Sequence, residues 1–190
     1  MTDLIEQLIP ADDVAFFQRK AAEKIHAEGW KGRNIEQKIE NFVNCWVTEE
    51  AFKLLLIAHK AFFRHRALYV GDAAGAGVDF EVFVGGKWVG VGIRSITSDS
   101  RYRWKSVAYP EDRFLYEKER IPDFVVVCHN NNGLVQFLGM IDKATLVAEL
   151  EKGERRRSAK NQEWFRKVEL GRFSWEELHL FLQKSTSKDE

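Results

Sequence analysis

The chain is short of the residues that interrupt or staple a fold, with three prolines and two cysteines in 190 residues. Cys45 and Cys128 lie far apart in otherwise apolar stretches, which argues against a disulfide framework and for a reducing compartment, the cytoplasm. Two thiols leave no local spacing for a zinc site, and the five histidines show none either. No run of about 18 apolar residues, secretory leader pattern or lipidation motif is present, so no membrane is expected. Net charge is missing too, since 29 Lys and Arg offset 29 Asp and Glu. That balance argues against a histone-like or tail-mediated nucleic-acid binder. The glycines at 71, 75 and 77 lack both the Lys-Ser/Thr of a P-loop and the spacing of a dinucleotide fingerprint.

Large apolar side chains are plentiful: hydrophobic residues make up 45% of the chain, with 14 Phe and 6 Trp. This excludes intrinsic disorder and suffices for a packed core without metal or disulfides. The length suits one domain, or one domain with a small helical extension. Charge is unevenly spread. Residues 1–50 hold ten acids and six bases, the remainder nineteen acids and twenty-three bases. Within the latter, residues 51–71 contain Lys53, Lys60, Arg64 and Arg66 and no acid, which reads as a basic helix.

Hydrophobic periodicity predicts amphipathic helices over 13–28 and 35–46 and a third starting at Thr48, an N-cap followed by Glu49 and Glu50. After these the period changes to two. A short strand is expected at 68–70, and 79–84 and 87–95 form a hairpin around Gly85 and Gly86. A loop over 97–110 leads to a helix near 111–120. The apolar run 124–128 predicts a strand covered on both faces, with 134–141 as its antiparallel neighbour. Asp142 caps a helix through 150, and residues 151–160 form a polar loop. Ser174 and Glu177 form a capping box for a last helix, with Phe173 stapled to Leu178. The fold class is therefore α/β, a mixed central sheet flanked by helices. Residues 1–47 are expected as an N-terminal helical arm and 48–190 as the α/β domain.

Three features between residues 48 and 141 follow in a fixed order. They are Glu49 and Glu50 on a helix, Gly77-Val78-Asp79-Phe80 at the hairpin's entry, and Gly92-Ile93-Arg94-Ser95 in its second strand. Together with the apolar strands 124–128 and 137–141, they resemble the PD-(D/E)XK superfamily, the restriction-endonuclease-like nucleases. The resemblance covers about half the chain. It implies phosphodiester hydrolysis, with DNA as the first expectation, and Mg2+ or Mn2+ as cofactor. Asp79 would be the principal metal ligand, Glu81 or a carboxylate from Glu50 the second, and Arg94 the phosphate clamp. The departures are Gly92, where the second metal-binding acid belongs, and Arg94 in place of lysine. Arginine holds phosphate well but stays protonated and cannot act as a base.

The chemistry itself is general: carboxylates hold a divalent ion that neutralises the phosphate and generates hydroxide. Alternation along the strands puts Asp79 and Glu81 on one face and lets Arg94 share it across the hairpin. Each residue also has a plain structural reading. Asp79 and Glu81 beside Arg94 suit an exposed cross-strand ion pair, and Glu49 and Glu50 suit helix capping. Asp112 and Glu119 are alternative helper acids, and His129 is a lesser site candidate. Gly90 and Gly92 either admit a ligand or make room for packing.

The stretch Arg101, Tyr102, Arg103, Trp104, Lys105 interleaves cations and aromatics. It is a nucleic-acid grip if exposed, and a solvated loop if its rings turn inward. Arg155, Arg156 and Arg157 read first as a solvated basic loop. Three function readings follow: a metal-dependent nuclease, an inactive descendant of that fold that binds nucleic acid or a protein, or a pure interaction scaffold. The acidic N-terminal helices are the surface for a protein partner, and a homodimer is compatible with all three.

Overall fold

A computed structural model describes residues 5–29, 34–65, 78–116, 118–158 and 163–186. The elements run β1 (Ile5–Leu8), α1 (Ala11–Ala27), α2 (Ile35–Ala58), β2 (Phe63–His65), β3 (Phe80–Val84) and β4 (Lys87–Ile96). A π-helical turn (Asp99–Trp104), β5 (Ser106–Pro110), α3 (Glu111–Tyr116) and a 3-10 turn (Lys118–Arg120) follow. The rest are β6 (Phe124–Asn131), β7 (Leu134–Asp142), α4 (Lys143–Lys152), β8 (Arg155–Arg157), β9 (Trp164–Glu169) and α5 (Trp175–Ser185). The class is α/β with a mixed sheet, as the periodicity predicts.

Among the described residues the main sheet has six strands in the order β1-β7-β6-β4-β3-β2. Of these pairs β4 and β6 run parallel and the others antiparallel. A parallel pair needs a long connection, and the chain from the π-helical turn to residue 123 supplies it. The apolar run of β6 lies near the middle of the sheet and is buried on both faces. On one face Phe80, Val82, Val91, Val126 and Phe137 pack beneath Trp46, Phe52 and Leu56 of α2 and Leu178 and Leu182 of α5. Phe52 meets Phe80 edge-on at 5.2 Å. Burying each such ring removes it from water for about 1.5–3 kcal/mol, enough to seat α2 on the strands. On the other face Val125, Val127 and Ile141 pack against α3, α4 and a second, three-stranded sheet, β5-β9-β8.

The predicted hairpin is present, and both turn glycines have positive φ (53° and 82°), the type I′ geometry that suits twisted strands. Asp142 caps α4, accepting from Thr145 N–H at 2.9 Å. Ser174 likewise accepts from Glu177 N–H.

Other expectations need correction. Residues 35–58 form one continuous helix: buried Thr48 caps nothing, and its hydroxyl bonds back to the carbonyls of Asn44 and Cys45. The boundary expected at 47/48 therefore falls inside a helix. Residues 5–8 are a strand of the main sheet, and Ile9, Phe17, Ala21 and Val43 belong to its core, so the N-terminal region is built into the fold. The loop over 97–110 contains β5, and the polar loop at 151–160 contains β8. Ser174 N–H donates to Met140 O, so the reciprocal half of the capping box is replaced by a strand-like bridge. Phe173 and Leu178 lie in different core clusters, not in a staple. The strand expected at 68–70 lies outside the described residues. Among the described residues no helix is long and apolar enough to cross a membrane.

Candidate functional site

Strand β3 begins with Phe80 opposite Val91, and Asp79 stands just ahead of it. Asp79 N–H donates to Val91 O at 2.9 Å, so Asp79 and Phe80 both meet Val91 and the pairing is irregular at this end. Ile93 N–H, next along the same edge of β4, lies beyond the end of β3. The Asp79 carboxylate takes the place of a strand carbonyl there, its Oδ2 accepting that proton at 2.7 Å. Asp123, just ahead of β6, does the same on the other edge, where its Oδ2 accepts from Gly90 N–H at 2.7 Å. Gly90 is also tight against Val78, because a Cβ there would meet Val78 Cγ2 at 3.0 Å.

The remaining hairpin residues have partners of their own. Glu81 is half exposed, 3.6 Å from Arg64, whose guanidinium lies over the Trp88 ring at 4.3 Å. An exposed pair of this kind is worth under about 1 kcal/mol. Arg94 lies over the Tyr109 ring of β5 at 4.6 Å, on the face of the second sheet. Glu50 belongs to α2, on the face opposite the one to which alternation sends Asp79, and bonds Lys53 at 2.6 Å. Glu49 is buried and meets His65 at 3.4 Å. Asp112 and Glu119 are exposed, in α3 and the 3-10 turn. Asp79, Glu81 and Arg94 thus share the hairpin while Glu50 does not join them. Among the described residues no group of three or more Asp, Glu, His or Cys is placed to hold a metal ion. Gly92 supplies no carboxylate and Glu81 is directed to Arg64, so among the described residues the second acid of the set that the family resemblance implies does not stand beside Asp79.

A second polar assembly lies at the carboxyl ends of the parallel strands, where open α/β sheets place their ligands. His129 is buried and pairs with Gln136 across the sheet. Its Nδ1 lies 2.9 Å from an Arg101 NH1 that also bonds Gln136 Oε1, and Gln136 Nε2 in turn donates to Glu6. Ser98 Oγ is 3.0 Å from His129 Nε2. Arginine has only donors, so Nδ1 must accept and the ring proton resides on Nε2, which donates to Ser98. The Ser98–His129 contact therefore has the wrong tautomer for a nucleophile and its base. Burial first, and the Arg101 cation second, hold the imidazole below its ordinary pKa, while the Gln136 bond opposes them. The neutral ring is the form that accepts from Arg101.

This anchoring divides the basic stretch. Arg101 is held to His129 and Gln136 and lies over the Tyr102 ring at 4.8 Å. Arg103, Trp104 and Lys105 are exposed, and Tyr102 and Trp104 show 62% and 53% of their surface. The rings of Tyr102 and Trp104 lie at the surface and do not turn into the core. Arg155, Arg156 and Arg157 form edge strand β8, where Arg155 pairs with buried Glu111 and stacks on Trp164 at 4.0 Å, and Arg156 pairs with Glu154.

A cleft of about 870 Å³ opens beside the π-helical turn, between α1, α2 and the ends of β4 and β6. Asn44, Asn130 and Thr97 lie in its wall. Sequence reasoning missed it because residues 129–133, His-Asn-Asn-Asn-Gly between two strands, have the composition of a turn. The signal available was the density of amides in that turn, which makes sense only once α2 lies alongside. Compared with known proteins, the chain matches no family model, no curated protein and no solved structure.

Proposed function

We propose that the chain is a non-cleaving relative of the PD-(D/E)XK nucleases that binds nucleic acid, DNA in the first instance. The order of α2, the meander β2-β3-β4 and the parallel return in β6 supports the relationship, since it follows the element order the sequence resemblance implies. The non-cleaving half is carried by one observation: among the described residues no second acid joins Asp79, whose Oδ2 accepts from the main-chain N–H of Ile93. A second acid beside it would be needed to hold the ion and lower the pKa of its water. The binding half is supported by Arg103 and Lys105, which can neutralise phosphates, and by Trp104, on which a base can stack, all on a turn that Arg101 ties to the sheet.

Arg94, two residues beyond Gly92 and on the Asp79 side of the strand, favours the catalytic reading, and one experiment separates the two. DNA and RNA are titrated by fluorescence anisotropy at rising salt, then incubated with Mg2+ or Mn2+. Binding that weakens steeply with salt and leaves the strands intact is the expected result. Metal-dependent cleavage that disappears in Asp79→Ala would establish the nuclease instead.

A further inference from the structure

The geometry points to the cleft between α2 and the ends of β4 and β6 as a pocket for an unpaired nucleobase, which we propose as the feature that makes the protein prefer single-stranded nucleic acid. The inference deepens the nucleic-acid reading above and rests on it for the strand, though not for the pocket itself.

Size and charge come first. About 870 Å³ is within the range of small-molecule sites. The lining contains Glu36 and Glu40 but no Lys, Arg or His, so it disfavours a phosphate and suits an uncharged group. Val14, Ile39, Val43 and Ile96 provide an apolar wall for the faces of a planar ring.

The polar wall has a defined polarity. Gly133 N–H donates to Asn130 Oδ1 at 2.9 Å, which turns the Asn130 amide nitrogen toward Asn44. That nitrogen donates to Asn44 Oδ1 at 2.8 Å. The Asn44 oxygen is thereby engaged, so the donors this cleft-lining amide can offer a ligand are those of its NH2. Unpaired bases are read this way, by amide side chains on their hydrogen-bonding edges.

Position completes the case. Thr97 and Ser98 line the cleft, and the same two residues start the turn that carries Arg103, Trp104 and Lys105. Thr97 O accepts from Arg101 N–H at 3.0 Å, and Thr97 Oγ1 accepts from Ser100 N–H at 3.2 Å, which ties rim to turn. A strand with its phosphates on the cations outside can thus turn a base inward, whereas a paired base is held in its stack.

Cys45 supplies the test, because it lines the cleft and is exposed while the other thiol, Cys128, is buried with its pKa pushed up. Reaction of the intact protein with a disulfide reagent is timed with adenosine, with a mixed-sequence single-stranded oligonucleotide, and with the blunt duplex of that sequence. Adenosine and the single strand should each slow Cys45 modification, about tenfold when present at ten times Kd, as mass action requires. The duplex should bind without slowing it. Asn44→Ala should weaken adenosine protection about three- to tenfold, the equivalent of one hydrogen bond. If the single strand binds and neither it nor adenosine protects Cys45, or if the duplex protects equally, the pocket assignment is overturned and nucleic-acid binding stands. If adenosine protects but neither oligonucleotide binds, the pocket stands as a nucleoside site and the nucleic-acid reading falls. Absence of both overturns both.

Discussion

Along the middle of β4, the acids Asp79 and Asp123 each accept a main-chain N–H that a strand carbonyl would otherwise take. At the carboxyl end of the same strand, Arg101 is held by His129 and Gln136 so that its neighbours in sequence remain at the surface. The first arrangement uses charge to finish a sheet, and the second uses charge to hold a turn in position. Acids at strand ends are therefore poor markers of a metal site unless a second acid faces them. A basic stretch is a better marker of binding when one of its cations is tethered and the others are exposed.

The contrast depends on the sheet, and the largest expected effect comes from removing what shapes it. β7 is irregular opposite Val127 and Cys128, where Gly139 has φ of 149° and an added Cβ would lie 2.5 Å from Phe173 O. Gly139→Ala should cost about 3 kcal/mol or more, read by denaturant melting, and should disturb His129 and its partners first. Retention of full stability would mean that Phe173 moves away freely.

Asp79 offers the sharper comparison. Asp79→Ala leaves Ile93 N–H without its acceptor and should cost about 1–3 kcal/mol, whereas Asp79→Asn keeps an acceptor oxygen and should restore most of it. Equal losses in the two variants, together with a rise in Tm on adding Mn2+ to the natural protein, would move Asp79 from sheet to metal site.

His129 reads the other end by pH. A histidine whose folded pKa is depressed contributes stability that is fully present above its unfolded value of about 6.5 and is lost as pH falls through the folded value. Melting temperature should therefore drop on the acid side of neutrality, with a weaker drop in His129→Gln. Arg101→Ala should raise the imidazole pKa, since the cation lowers it, and NMR titration of the ring checks the direction.

The smallest effect belongs to the exposed cations. Arg103→Ala and Lys105→Ala should leave stability unchanged and reduce the slope of log K against log salt by about one each for B-DNA. An unchanged slope in the double variant would remove this turn from the interface.

Much of the framework was legible because it depends on neighbours in sequence. Gly85 and Gly86 specify a tight turn, Asp142 and Ser174 cap helices three residues away, and the apolar run of β6 can lie only inside a sheet. Strands β1 and β5 were not legible, being short and paired with residues far along the chain, such as Ile5 with Phe137 and Ser106 with Glu169, and β8 was not because its three arginines carry no apolar alternation. Thr48 misled because its hydroxyl bonds equally well to a carbonyl of its own helix as to a helix-start amide.

The site divides the same way. The sequence by itself determined that Asp79 enters a hairpin, that Gly92 offers no carboxylate and that cations and aromatics crowd positions 101–105, since these are matters of composition and local period. Only the tertiary structure decided what those groups touch. Asp79 faces a backbone N–H because pairing with β3 stops at Val91 while β4 continues to Ile96. Arg101 turns inward because β6 and β7 bring His129 and Gln136 beside it. Asn44 meets Asn130 across 86 residues because burial of Trp46, Phe52 and Leu56 presses α2 onto the sheet, a long-range event that no local pattern encodes.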